Sequence, residues 1–199
     1  MASPPRTPLA TVCRAATDEA LLERFALAND REAITELAWR HESAMLGLAW
    51  SLLRERAAAE DAVQDTWVRV IRHAKTFRGQ SAFRTWLLRI LIHRCRDAVR
   101  ASISARERTK SYSEMRTDSA PLDRPDLDDD ARAVAKAVAR LSPARAELVI
   151  LCHHHGLTHA QAAEVLQIPI GTVKTRLYAA IDELRSILGE SGGEGTRHD

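Results

Sequence analysis

The sequence predicts an all-α protein made of two small helical bundles joined by a flexible acidic linker. Apolar residues recur at helical spacing along nearly the whole chain, and no stretch alternates apolar and polar residues long enough to suggest a β-strand. The charge also changes sign abruptly. Residues 66–110 hold twelve basic and two acidic residues, whereas residues 112–130 hold seven acidic and two basic residues. This change, together with two prolines, predicts a linker over residues 102–130.

The first bundle is expected over residues 17–101 and contains four helices. Residues 1–16 are rich in proline and small polar residues, which predicts disorder before the first helix. Asp30 is placed to cap the second helix, and the third begins near Ala57. The fourth follows the break at Arg78-Gly79-Gln80, where Ser81 can cap it. Phe83 and Trp86, at helix spacing, are expected to pack in the core.

The second bundle is expected over residues 131–188, followed by a disordered tail over residues 189–199. Ser142 followed by Pro143 opens a helix that ends at Gly156. Thr158 and Gln161 then have the spacing of a capping box, which starts a short helix. Residues 167–169 break that helix, and a longer one begins at Ile170.

The segment from Leu157 to Leu188 therefore has the order of a DNA-reading helix-turn-helix. The second helix buries an apolar stripe and leaves Thr172, Thr175 and Arg176 facing outward. A helix of this kind can enter a major groove with its first turns toward the base edges.

Composition excludes several classes of protein. No apolar run approaches membrane-spanning length and the N-terminal segment has no hydrophobic signal core, so we expect a cytoplasmic protein without membrane insertion. Three unpaired cysteines, Cys13, Cys95 and Cys152, argue against a disulfide framework. The chain has no nucleophile elbow, glycine-rich phosphate loop or carboxylate cluster in a plausible context. We therefore expect no enzyme activity and no cofactor.

A histidine-rich stretch near Gly156 is open to two interpretations. Cys152, His155 and His159 are candidate ligands for a zinc or nickel ion, since Cys152 and His155 are one helical turn apart. The alternative is a histidine-rich helix end, where a positive charge favours the helix dipole. We favour this alternative and predict no metal site.

Three motifs, in this order and spacing, resemble bacterial RNA polymerase sigma factors of the extracytoplasmic-function class (ECF, group IV of the sigma-70 family). They are Ala59-Glu60-Asp61-Ala62-Val63-Gln64-Asp65-Thr66-Trp67, the segment from Phe77 to Ile90, and the segment from Gly156 to Leu177. The resemblance covers about Asp18 to Leu188. It implies that residues 17–101 are sigma region 2 and that residues 131–188 are sigma region 4.

The resemblance also implies roles for particular residues. Asp61, Gln64 and Asp65 would bind the clamp of core RNA polymerase. The minus-ten promoter element would be contacted by Lys75, Arg78, Gln80, Ser81, Arg84, Arg89 and Arg96. The minus-thirty-five element would be contacted by Thr172, Lys174, Thr175, Arg176 and Tyr178, while region 4 also touches the polymerase flap.

The resemblance implies a promoter-specificity subunit that directs transcription initiation in a stress or signal response. It further implies an anti-sigma factor as a partner. The main rival is a stand-alone helix-turn-helix regulator. That hypothesis explains residues 157–188 but leaves the acidic face and the arginine-rich fourth helix without a role.

Overall fold

The computed structural model describes residues 16–110 and 129–192 of the 199-residue chain. These residues form eight α-helices and no β-strand, which confirms the predicted all-α class. Contacts divide the chain into two compact units, with the boundary between Val99 and Arg100. The predicted disordered segment 1–16 falls, apart from its last residue, outside the described residues, and so does most of the acidic segment.

Four helices begin in the first unit, and local capping explains where the first three of them start. They are α1 (Asp18–Ala28), α2 (Arg31–Leu53), α3 (Arg56–His73) and α4 (Phe83–Lys110). Asp30 caps α2 as predicted, because its carboxylate accepts hydrogen bonds from the backbone N–H groups of Glu32 and Ala33 at 3.0 and 3.2 Å. Glu55 caps α3 in the same way.

The start of α4 differs from the prediction. The helix begins at Phe83, and the backbone N–H of Phe83 donates to the Glu19 carboxylate at 2.8 Å. The capping oxygen at this N–H therefore comes from α1, and not from Ser81. This bond fixes the start of α4 against α1.

The core of the first unit is formed by apolar side chains from all four helices. Packing joins α1 to α2 and α2 to α3. The largest fully buried side chains of this unit are Leu21, Leu22, Leu37, Met45, Leu48, Val70, Phe83, Leu87, Leu91 and Ile92. Ile71 is 48% exposed, because it lies about 100° around α3 from the buried Val70.

The second unit contains α5 (Asp129–Arg140), α6 (Pro143–Val149), α7 (His159–Leu166) and α8 (Ile170–Gly192). A short π-helical turn, Ile150–His154, extends α6. Ala137 of α5 and Leu141, the residue after its end, pack with Ala180 and Ile187 of α8 in one buried cluster. Val134, also on α5, is 48% exposed and lies outside this cluster.

Two helices run past the predicted boundaries. Helix α4 continues to Lys110, so the first nine residues of the predicted linker 102–130 are helical. Helix α5 begins at Asp129, before the predicted boundary, and α8 extends to Gly192, four residues into the predicted tail. Helical structure therefore covers more of the chain than the apolar pattern indicated.

Candidate polymerase and nucleic-acid interfaces

The outer face of α3 carries the three residues predicted to bind polymerase. Asp61, Gln64 and Asp65 are all exposed and share one face through their i, i+3, i+4 spacing. Within the described ranges, neither carboxylate forms an ion pair. The same face continues with two exposed apolar side chains, Val68 and Ile71. Helix α3 thus presents acidic groups followed by an apolar patch, which the sequence pattern did not indicate.

The segment after α3 brings together several residues predicted to contact the minus-ten element. A short 3-10 turn, Ala74–Thr76, follows α3, and Gly79 has a φ of +64°, a conformation that favours glycine. Lys75, Arg78 and Gln80 are exposed, and Ser81 is half-buried. Their polar groups are therefore accessible at the turn that leads into α4.

A cluster of aromatic side chains packs against this segment. The Phe83 ring is fully buried, with its centroid 6.4 Å from that of Phe77, 6.0 Å from Trp86 and 5.5 Å from His41. Phe77 and Trp86 are half-buried, and their centroids are 5.0 Å apart. The predicted core role of Phe83 is confirmed, whereas Trp86 also borders a surface groove.

Two clefts flank the aromatic cluster. A cavity of about 600 Å³ lies between α1 and the segment 74–79, and Glu23, Leu27, Lys75 and Arg78 are among the residues that line it. A groove of about 410 Å³ lies between α3 and α4. Its lining includes Arg69, His73, Trp86, Ile90, His93 and Arg94. Helix α1 was not assigned to any site by the sequence.

The arginines of α4 do not form a single row. Arg89 and Arg96 are seven residues apart and share one side of the helix, whereas Arg84 lies about 140° from Arg89. All three side chains are half-buried and interact with other groups. Arg84 therefore faces a different direction from the other two.

The second unit contains the predicted helix-turn-helix. Thr158 Oγ1 accepts from the Gln161 N–H at 3.2 Å, and the Gln161 side chain accepts from the Thr158 N–H at 2.9 Å, which completes the capping box. Gln167 ends α7 with a φ of +56°. Helix α8 then begins at Ile170, as predicted.

The first turns of α8 present the residues predicted to contact the minus-thirty-five element. Lys174, Thr175, Arg176 and Tyr178 are exposed, and Thr172 is half-buried. The Thr175 hydroxyl donates to the Gly171 carbonyl at 3.0 Å, so its proton is already used within the helix. Only its lone pairs are left for an outside donor.

The histidine-rich stretch shows no metal-binding arrangement. In residues 16–110 and 129–192, no group of three or more His, Cys, Asp or Glu side chains is placed to hold a metal ion, so Cys152, His155 and His159 do not form such a site. The rings of His154 and His155 instead pack edge to face. Burial raises the pKa of the Cys152 thiol, which keeps the thiol protonated at neutral pH.

Comparisons with known proteins decide the family. Sigma-70 region 2 matches residues 37–103, and Sigma-70, region 4 matches residues 131–184. The ECF RNA polymerase sigma factor SigK of Mycolicibacterium vanbaalenii is 31% identical over 188 residues, which cover 92% of this chain and 93% of that protein. The chain belongs to the ECF sigma factors. SigK of Mycobacterium sp. (strain KMS) is 29% identical over 96% of this chain and 98% of its own length.

A solved structure has the same fold. The sigma factor RpoE of Bartonella quintana, in complex with the anti-sigma factor NepR, matches with a TM-score of 0.64 and 24% identity over 82% of this chain and 98% of that chain. As an ECF sigma factor, this chain is a sigma subunit that directs transcription initiation by RNA polymerase on promoter DNA. The family is non-enzymatic, which confirms the prediction of no enzyme activity, and it does not favour the stand-alone regulator.

None of the helices in the described ranges has the length and apolar character needed to cross a membrane.

Proposed function

We propose that this sigma factor acts in the cytoplasm and divides promoter recognition between its two units. The first unit docks on the polymerase clamp and captures unpaired bases of the minus-ten element. The second unit reads the minus-thirty-five duplex and contacts the polymerase flap. The acidic residues between the units act as a linker. The observation that carries this proposal is the exposed acidic face of α3, a helix that is followed in sequence by the cationic turn at Lys75 and Arg78.

The proposed docking face is Asp61, Gln64 and Asp65 on α3. Support comes from their exposure and from the absence, among the described residues, of an ion-pair partner for either carboxylate. Charges that are not neutralised internally steer association with a surface of opposite sign, so the matching clamp surface should be basic. Val68 and Ile71 extend the face with apolar area that docking would bury.

The proposed minus-ten surface begins at the turn between α3 and α4. Lys75 and Arg78 would neutralise phosphates, while Gln80 and Ser81 would bond to an unpaired base. Arg89 and Arg96 share one side of α4 and would contact the backbone further along, with Arg84 on a separate side.

The proposed minus-thirty-five surface is the start of α8. Lys174 and Arg176 would reach phosphates or guanine edges, and Thr172 and Thr175 would contact phosphates or bases. Tyr178 is 65% exposed and would pack on a thymine methyl group. These roles require the first turns of α8 to lie in the major groove.

We also propose that an anti-sigma factor regulates this chain and that it acts in a stress or signal response. The support is the fold shared with a sigma factor that was solved in complex with its anti-sigma factor. A protein of this kind would compete with polymerase for the same exposed surfaces.

The docking proposal is tested by measuring the affinity of core RNA polymerase for the purified chain. The double variant Asp61→Asn with Asp65→Asn should bind roughly tenfold more weakly or worse, since close charge pairs across an interface contribute about 1.5 kcal/mol or more. The salt dependence of binding should also flatten. Glu60→Gln is the matched control, because Glu60 lies on α3 but pairs with Arg56 of the same helix at 2.8 Å.

Run-off transcription with reconstituted holoenzyme provides the functional readout. The double variant should give fewer transcripts at low concentration and recover when its concentration is raised. Equal affinity of the double variant and the wild-type chain for polymerase would rule out this face as the docking site.

A further inference from the structure

The cavity between α1 and the segment 74–79 has the composition of a small-molecule or base pocket. Its volume of about 600 Å³ lies within the range of about 300–1,000 Å³ typical of ligand clefts. Leu22, Leu27 and Phe77 provide apolar walls, and Glu23, Lys75 and Arg78 provide charged groups. Leu27 is 81% exposed, so a ligand in the cavity would cover an apolar side chain that is otherwise in water.

The two acidic residues that line this cavity have different roles. Glu19 and Glu23 are one helical turn apart on α1, and both border the cavity. The Glu19 carboxylate already accepts the Phe83 N–H at 2.8 Å, so it supports the start of α4. Glu23 is exposed and, among the residues that the structure describes, makes no hydrogen bond or ion pair. Its carboxylate is therefore free to accept from a ligand.

The cations on the opposite wall indicate the kind of ligand. Lys75 and Arg78 are exposed, and neither forms an ion pair within residues 16–110 and 129–192. Such cations suit the phosphates on either side of an unpaired nucleotide, whose base then enters the apolar part of the cavity. Gln80, assigned above to an unpaired base, follows Gly79 of the cavity lining directly in sequence.

We propose that Glu23 is a specificity-determining residue whose carboxylate accepts a hydrogen bond from the exocyclic amine of one unpaired promoter base. The proposal rests on the proposed minus-ten role of the first unit. An ionised carboxylate only accepts hydrogen bonds. Adenine, cytosine and guanine each carry an exocyclic amine that donates to it, whereas thymine has none and presents a carbonyl at the equivalent place. Glu23 thus selects against thymine at this base.

The test compares transcription by reconstituted holoenzyme from a set of promoter variants. A promoter that the wild-type holoenzyme transcribes is prepared with every single-base change in its minus-ten element, and transcripts from each template are counted. At one position, the wild-type protein should prefer an amine-bearing base to thymine by about tenfold or more, the scale of one good base contact. Glu23→Gln should reduce this preference several-fold, because an amide also donates to a carbonyl. Glu23→Ala should reduce it as well.

Glu42→Gln is the matched control, because Glu42 is an exposed carboxylate on α2 that is not part of the cavity lining. It should leave every base preference unchanged. A loss of preference at a single position in the Glu23 variants supports the proposal. Unchanged preferences, or an equal loss of transcription from all templates, overturn it while the sigma function stands. If no promoter can be found that the wild-type holoenzyme transcribes, both this proposal and the proposed function fail.

Discussion

Replacing Phe83 with alanine should strongly destabilise the first unit. Phe83 is 0% exposed, and its ring neighbours come from α2, from the segment before α4 and from α4 itself. Truncating a buried phenylalanine to alanine costs about 3–5 kcal/mol, and the cost is highest where the surroundings cannot collapse into the cavity. Because these neighbours are held by separate segments, we expect about 4 kcal/mol, a large part of the roughly 5–15 kcal/mol that stabilises a typical domain.

Tryptophan fluorescence during urea unfolding measures this loss selectively. The four tryptophans of the chain, Trp39, Trp50, Trp67 and Trp86, all lie in the first unit. With a denaturant dependence of about 1–3 kcal/mol per molar urea, the unfolding midpoint should fall by more than about 1 M. Circular dichroism, which reports both units, should lose part of its signal at the same urea concentration.

Phe83→Leu is the control for this variant. Leucine keeps an apolar side chain and removes less volume than alanine does, so the midpoint of Phe83→Leu should fall less than that of Phe83→Ala. A loss below about 1 kcal/mol for Phe83→Ala would refute the reasoning, since it would mean that the aromatic cluster does not support the start of α4.

Two further predictions concern helix starts. The backbone hydrogen bond from Ala33, aided by Arg24, lowers the pKa of Asp30, so this carboxylate stabilises the fold above about pH 4 and less as the pH falls through its lowered pKa. Asp30→Asn keeps a capping side chain. The free energy of unfolding of this variant should fall less between about pH 5 and pH 2 than that of the wild-type protein. An equal fall in both proteins would contradict this role. Thr158→Ala should destabilise the second unit by about 1 kcal/mol in thermal unfolding, whereas Thr158→Ser should not.

Local patterns predicted the helix starts that depend on neighbouring residues. Asp30 and Thr158 cap α2 and α7 because a capping side chain bonds within three residues of its own position. The start of α4 could not be predicted in this way, since its capping oxygen belongs to Glu19, 64 residues earlier. No local pattern contains that information.

The end of α4 shows a second limit of sequence patterns. Residues 101–105 are helical although all five are exposed, so an apolar stripe is absent where the helix continues. The residues after them include Arg, Glu and Lys, which favour helix without any packing. The loss of apolar periodicity therefore marked the end of the core and not the end of the helix.

The candidate site was predictable only in part. Motif positions identified the cationic turn at Lys75 and Arg78, because these residues are close in sequence. Glu23 was missed because α1 reaches this turn only through the tertiary fold, and a single glutamate on an amphipathic helix has no distinctive pattern.

The bond between Glu19 and Phe83 also affects how the chain folds as it is synthesised. Ribosomes add about 5–20 residues per second, so the partner of Glu19 is made roughly 3–13 s after Glu19 itself. During that interval the Glu19 carboxylate has no Phe83 N–H to accept, so the contact that fixes the start of α4 against α1 is absent. The core of the first unit therefore cannot be completed until Phe83, which is fully buried in it, has been synthesised.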